Sequence, residues 1–133
     1  MKHTVCALLS VLIILAMLSV PAFAHHGNAA YDLDSTITLK ATIADFEFGN
    51  PHVQISFDTK DDKGDVTHWS CEGTNPAMLV RAGWSRSTLK PGDQVIITGH
   101  PVKNGANAMA AQKVVFADGR ETPNMGLPRD SSK

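Results

Sequence analysis

The sequence is poor in the residues that staple, stack or steer a chain. Two cysteines occur in 133 residues, Cys6 and Cys71. Cys6 sits in an N-terminal apolar run that is expected to be removed, so no internal disulfide can form in what remains, and sulfur stapling is excluded. Cys71 is read as buried and inert in preference to a thiol open to a partner or a metal. One tyrosine and two tryptophans offer little aromatic surface. Charged residues make up 19% of the chain and nearly balance, for a formal net charge of −1. Binding phosphates in number requires a basic face. This composition does not display one, which disfavours nucleic acid as a partner. Also missing are Gly-x-Ser-x-Gly, a phosphate loop, Cys-x-x-Cys and a Cys-x-x-Cys-His haem site. His68, Ser70 and Cys71 are close in sequence, but adjacent residues of a strand point to opposite faces, so His68 does not activate Cys71. The expectation is a protein that is not an enzyme.

What is present begins with an export signal. Lys2 and His3 open the chain, an apolar run extends from Val5 to Val20, and Pro21-Ala22-Phe23-Ala24 follows. A basic start, an apolar centre and small residues at the third and first positions before the cut describe a cleavable signal peptide over residues 1–24. The alternative, an uncleaved anchor, is disfavoured because the run falls short of the roughly 20 apolar residues that span a bilayer. Cleavage makes His25 the new N-terminus and places the protein in the periplasm or outside the cell, with no membrane insertion. The 109 residues left suffice for one modest core, and they carry 11 basic and 13 acidic side chains.

Beyond an N-terminal segment, 25–35, polarity alternates from Thr36 to Phe48, with Ile37, Leu39, Ala41 and Ile43 on one face, which is the period of a half-buried strand. Gly49-Asn50-Pro51 interrupts it, and His52 to Thr59 alternates again. Asp61-Asp62-Lys63-Gly64 supplies hairpin turn chemistry before a third strand from Val66 to Cys71. On that strand Trp69 is expected to point inward with Cys71, and His68 outward. Thr74-Asn75-Pro76 offers a cap and a first-turn proline for a short helix through Ala82, stopped by Gly83. Trp84 is read as folding back to plug one barrel end. A fourth strand runs from Gln94 to Gly99 and a fifth from about Met109 to Phe116. The order of three strands, a helix and two strands is that of the oligonucleotide/oligosaccharide-binding (OB) fold, a five-stranded Greek-key barrel. The barrel is expected over residues 36–120, with a disordered polar tail over 121–133.

Certain motifs recur together: His25-His26-Gly27, Asn50-Pro51-His52, Arg81-x-Gly83-Trp84, Leu89-Lys90-Pro91-Gly92-Asp93 and Asp118-Gly119-Arg120. With these the chain resembles a family of small secreted bacterial proteins classed as a domain of unknown function, over nearly its whole mature length. The resemblance implies export and a compact β-rich domain and carries no established activity. This chain departs from it after the His pair, where Asn28-Ala29-Ala30-Tyr31 stands in place of an early aromatic or second bulky residue.

Histidine offers the sharpest chemistry. A processed His25 presents an α-amine and an imidazole, a chelating pair that with one more imidazole suits copper(II) in tetragonal geometry. His26, His52, His68 and His100 are the possible additional ligands, and the metal set is read as His25, His26, His52 and His100, for copper or zinc. No pair has the tight spacing of a recognised site, and a solvated, flexible start is the plainer account. His68 and Trp84 are candidate contacts for another ligand, since an OB barrel binds across its second and third strands. The leading expectation is a non-enzymatic binding or accessory protein. Its rivals are a structural or partner-docking protein with no small ligand and, more weakly, oligosaccharide or nucleic-acid binding by the OB face. The export reading is checked by intact mass of the protein recovered from the periplasm or medium, which should equal that of residues 25–133. A full-length species confined to the cytoplasm would remove it.

Overall fold

The computed structural model describes residues 28–123 and Met125. The expected signal peptide, the His25-His26 pair and residues 126–133 lie outside the described residues. After a 3₁₀ turn at Asn28–Ala30 come strands β1 (Ile37–Glu47), β2 (Gln54–Lys60), β3 (Val66–Glu72), β4 (Gln94–Pro101) and β5 (Ala108–Phe116), with helix α1 (Pro76–Arg81) between β3 and β4. They form a closed barrel in the order β1-β2-β3-β5-β4. The β3–β5 ladder is parallel and the others are antiparallel. This is the OB-like Greek-key barrel with its helix after the third strand, as the order of elements led us to expect.

Closure depends on β1, the longest strand. Its first half pairs with β4, from Ile37 opposite Gly99 to Thr42 opposite Gln94, and its second half pairs with β2, from Thr42 opposite Asp58 to Glu47 opposite Gln54. A bulge between Ile43 and Asp45 bends the strand where it changes partner, the device by which a sheet turns the corner of a barrel. A second irregularity falls between Thr98 and Gly99 on β4. There β4 comes so close to β5 that a Cβ on Gly99 would lie 2.3 Å from the Ala110 carbonyl oxygen, so only glycine fits.

The alternating apolar residues meet inside. Ile43, Val53, Ile55, Phe57, Cys71, Val95, Ile97, Met109, Ala111 and Val114 are buried in one cluster. Trp69 faces inward as expected and stacks on Phe57, with centroids 6.3 Å apart and planes 11° apart. It is half-buried because β5 pairs with β3 only from Ser70 onward. α1 begins where Asn75 accepts the Met78 backbone N–H at 3.0 Å and ends before Gly83, whose φ of +97° suits a residue without a Cβ. Its Leu79 and the following Trp84 are buried, and Trp84 tilts against Phe46.

The tail corrects the sequence reading. The chain from Glu121 was expected to be disordered, yet its described part folds back on β5. Glu121 bridges Val115, Thr122 N–H donates to Val114 O, and Met125 N–H donates to Gln112 O. Met125 is fully buried against Gly73, where even a Cβ would come within 2.9 Å of its Cε. β5 meets β3 over three residue pairs only, Ser70–Glu72 with Ala108–Ala110, so the rest of its edge has backbone groups that the returning chain satisfies. Polar composition concealed a segment held by main-chain bonds and one methionine. Met125→Ala should therefore cost about 2–5 kcal/mol in urea unfolding. A loss below about 0.5 kcal/mol, typical of a surface site, would restore the disordered tail.

Candidate functional site at the barrel mouth

One end of the barrel gathers the β1–β2 loop, the last residue of β3, the β4–β5 loop and the N-terminal segment. That segment is fastened along the end of β4. Tyr31 bridges Val102, Asp32 N–H donates to Pro101 O, and Lys103 N–H donates to Ala30 O. From there the Tyr31 hydroxyl donates to Glu72 Oε2 at 3.2 Å. Sheet register explains the path. Glu72 of β3 is opposite Ala110 of β5, which is opposite His100 of β4, so the phenol must cross over Ala110 to reach Glu72. Ala110 shares the outward-facing row yet is 1% exposed. Burial, and next the neighbouring Cys71, push the Tyr31 hydroxyl above its ordinary pKa of 10.0.

His52, two residues before β2, hydrogen-bonds through Nδ1 to Glu72 Oε1. An ionised carboxylate only accepts, so Nδ1 carries the proton and Nε2 is left as the lone-pair nitrogen. Among the described residues Nε2 has no hydrogen-bond partner, and the side chain is 40% exposed. A carboxylate behind one ring nitrogen, with the other nitrogen left for a ligand, is the arrangement that orients a metal-ligating imidazole.

The other predicted ligands are placed differently. His100 Nδ1 lies 2.6 Å from Ser35 O and must donate to it, while Nε2 faces the Gln112 side-chain amide at 2.5 Å. Both its nitrogens are occupied, and β5 separates it from Glu72 by two strand spacings, about 10 Å. His68 is 83% exposed with Nδ1 2.5 Å from Asp58 Oδ1. It stands four residues along β3 from Glu72, about 13 Å away. Trp84 is 2% exposed and spends its indole N–H on Pro123 O at 3.1 Å, so no polar group of it faces a ligand. Among the described residues no cluster of three His, Cys, Asp or Glu side chains is placed to hold a metal ion. Sequence reasoning missed Glu72, Tyr31 and Gln112. An outward carboxylate one residue beyond an inward Cys71, and the one tyrosine of the chain, were the available signals.

The outer face of β2 and β3 pairs Gln54 with Glu72, Ser56 with Ser70 and Asp58 with His68. From Gln54 to Asp58 it carries carboxylates and the His68 ring, with Trp69 and Phe57 pointing the other way, and it ends at Lys60 opposite Val66. Stacking of sugars or bases finds no Trp, Tyr or Phe along that row, and phosphates meet the carboxylates Glu72 and Asp58.

Cys71 lies beneath this face. Burial pushes its thiol from an ordinary 9.0 to about 12, so it stays protonated and unreactive. A group whose folded-state pKa is raised contributes stability that is full below its unfolded value and lost as pH climbs toward the folded one. Stability should fall between pH 9 and 12 more steeply than in Cys71→Ala, and the native thiol should resist Ellman's reagent at pH 8 until urea is added. Rapid labelling of the folded protein would contradict this burial.

The chain matches no curated protein and no solved structure. A family profile does match it, over residues 12–111, a span that takes in β1 to β4, α1, the start of β5 and the loop that presents His52. With that span covering 100 of the 133 residues, the chain belongs to DUF6152, a family of unknown function.

Proposed function

We propose that this is an exported, non-enzymatic binding module that takes up a transition metal ion at the barrel mouth, copper(II) in preference to zinc(II). The observation that carries the reading is His52, with Nδ1 fixed on Glu72 in a side chain that is 40% exposed. The remaining ligands are the amine and imidazole of a processed His25, with His26 as a further imidazole. The same Glu72 also holds Tyr31, so the N-terminal segment is tied to the carboxylate that orients His52. Asn28–Ala30 form a 3₁₀ turn, and from Asn28 the three residues back to His25 reach at most about 10 Å in extended chain. Amine and imidazole nitrogens suit the tetragonal preference of copper(II). His100 takes no part, since both its ring nitrogens are engaged. The module supplies binding and leaves any chemistry to a partner or to the ion.

Docking of a protein partner is the second reading. It is favoured by Met78 and Val80, which leave α1 42% and 58% exposed and give the helix an apolar outward patch.

Calorimetric titration of protein beginning at His25 with copper(II) and zinc(II) tests the first reading. Glu72→Gln should weaken copper(II) binding by about ten- to hundredfold, as expected when the group behind a ligating histidine is removed. His52→Ala should weaken it at least as much and His100→Ala should leave it unchanged. Equal affinity in the His52→Ala protein, or in a chain beginning at His26, would sink the proposal.

A further inference from the structure

The opposite end of the barrel carries a second feature, independent of the mouth. The β1–β2 ladder stops at Thr42 opposite Asp58. Continued by two residues, the same register would set Lys40 directly against Lys60. Like charges in directly opposed positions are unfavourable, and here the strands part. β1 goes on with β4, placing Lys40 beside Ile96, and β2 goes on with β3, placing Lys60 beside Val66. Between the diverging strands lies a groove of about 590 Å³ lined by Lys40, Thr42, Lys60, Val66, Gln94 and Ile96, a size within the range of small-molecule sites.

Its chemistry is lopsided for a protein with more acidic than basic side chains. Neither lysine forms an ion pair among the described residues, and Asp58, the carboxylate in the lining, has one oxygen on His68 Nδ1 and stands opposite Thr42 instead of Lys40. Beside the two ammonium groups stand Val66, 47% exposed, and Ile96, 36% exposed. An inorganic anion would satisfy the lysines and leave the apolar flanks wet. A neutral apolar molecule would do the reverse. One class of ligand satisfies both, an anionic head on a hydrocarbon tail.

We propose that this groove binds an amphiphilic carboxylate of the fatty-acid kind. The head sits between Lys40 and Lys60, with Thr42 and Gln94 in hydrogen-bonding range of the same space, and the chain lies over Val66 and Ile96. Neither partner needs to be fully buried, so the affinity is modest and salt-sensitive.

The test is an NMR titration of processed protein with decanoate below its micellar concentration, read at the Thr42 and Ile96 amides and the Val66 and Ile96 methyls. Saturable shifts are expected there. The double variant Lys40→Gln/Lys60→Gln, which removes both charges and keeps the first two methylenes of each side chain, should bind roughly tenfold more weakly, about what two partly exposed ion pairs contribute. Acetate and decanol, each lacking one half of the ligand, should bind more weakly than decanoate. Ile96→Thr should weaken decanoate and leave acetate unchanged, and His52→Ala should leave decanoate binding unchanged, which separates this site from the mouth. The proposal is overturned by the absence of saturable shifts, by equal decanoate affinity in the double lysine variant, or by decanol binding as tightly as decanoate.

Discussion

The bend in β1 is the constraint on which the rest of this barrel depends. A strand has two edges, and β1 gives one to β4 along its first half and the other to β2 along its second; left straight, such a sheet would remain open with two edge strands exposed. The bulge at Ile43–Asp45 lets eleven residues serve two partners and brings β4 round so that β5 can reach β3. Both surface sites follow from it. Past the bulge β1 runs out to Asn50-Pro51-His52 at the mouth, and before it β1 leaves β2 and opens the lysine groove.

At the mouth one carboxylate does the organising. Glu72 receives Tyr31 on one oxygen and His52 on the other, joining the N-terminal segment to the loop between β1 and β2. A carboxylate that accepts from two directions holds both donors in fixed geometry. The half-exposed position keeps the desolvation cost low. Ala110 makes the crossing possible, because a larger side chain in its outward-facing row would lift the tyrosine ring away from Glu72. The polar features of this end are thus set by a small residue between two polar ones, His100 and Glu72, on neighbouring strands.

This explains why the fold was legible in the sequence and the site largely was not. Alternating polarity marked β1 to β3 to within one or two residues at their ends, and Asn75-Pro76 with Gly83 bracketed α1, because those signals depend on residues adjacent in the chain. Strand ends were less legible. β2 starts two residues after His52, since Val53 N–H pairs with Thr74 O in the loop, and β4 runs two residues past Gly99 because the N-terminal segment covers its end. The His52–Glu72 contact joins residues twenty apart and Tyr31–Glu72 joins residues forty-one apart. Neither lies within any local period. The start of the tail differed for a related reason: Glu121 and Thr122 are polar and are held to β5 through their backbone, and Met125 is a lone buried apolar side chain, neither of which composition reports.

The mouth and the lysine groove lie at opposite ends of β2. From His52 to Lys60 along β2 is about 26 Å, well beyond the roughly 10 Å over which exposed charges act on one another in ordinary salt. Charges at the mouth and in the groove therefore act independently, although β2 and β3 contribute to both. What they share is placement at the points where the barrel ladders end. Strands that stop pairing leave side chains whose neighbours are no longer dictated by the ladder, and in a barrel this small those are the places where polar chemistry can gather without disturbing the core.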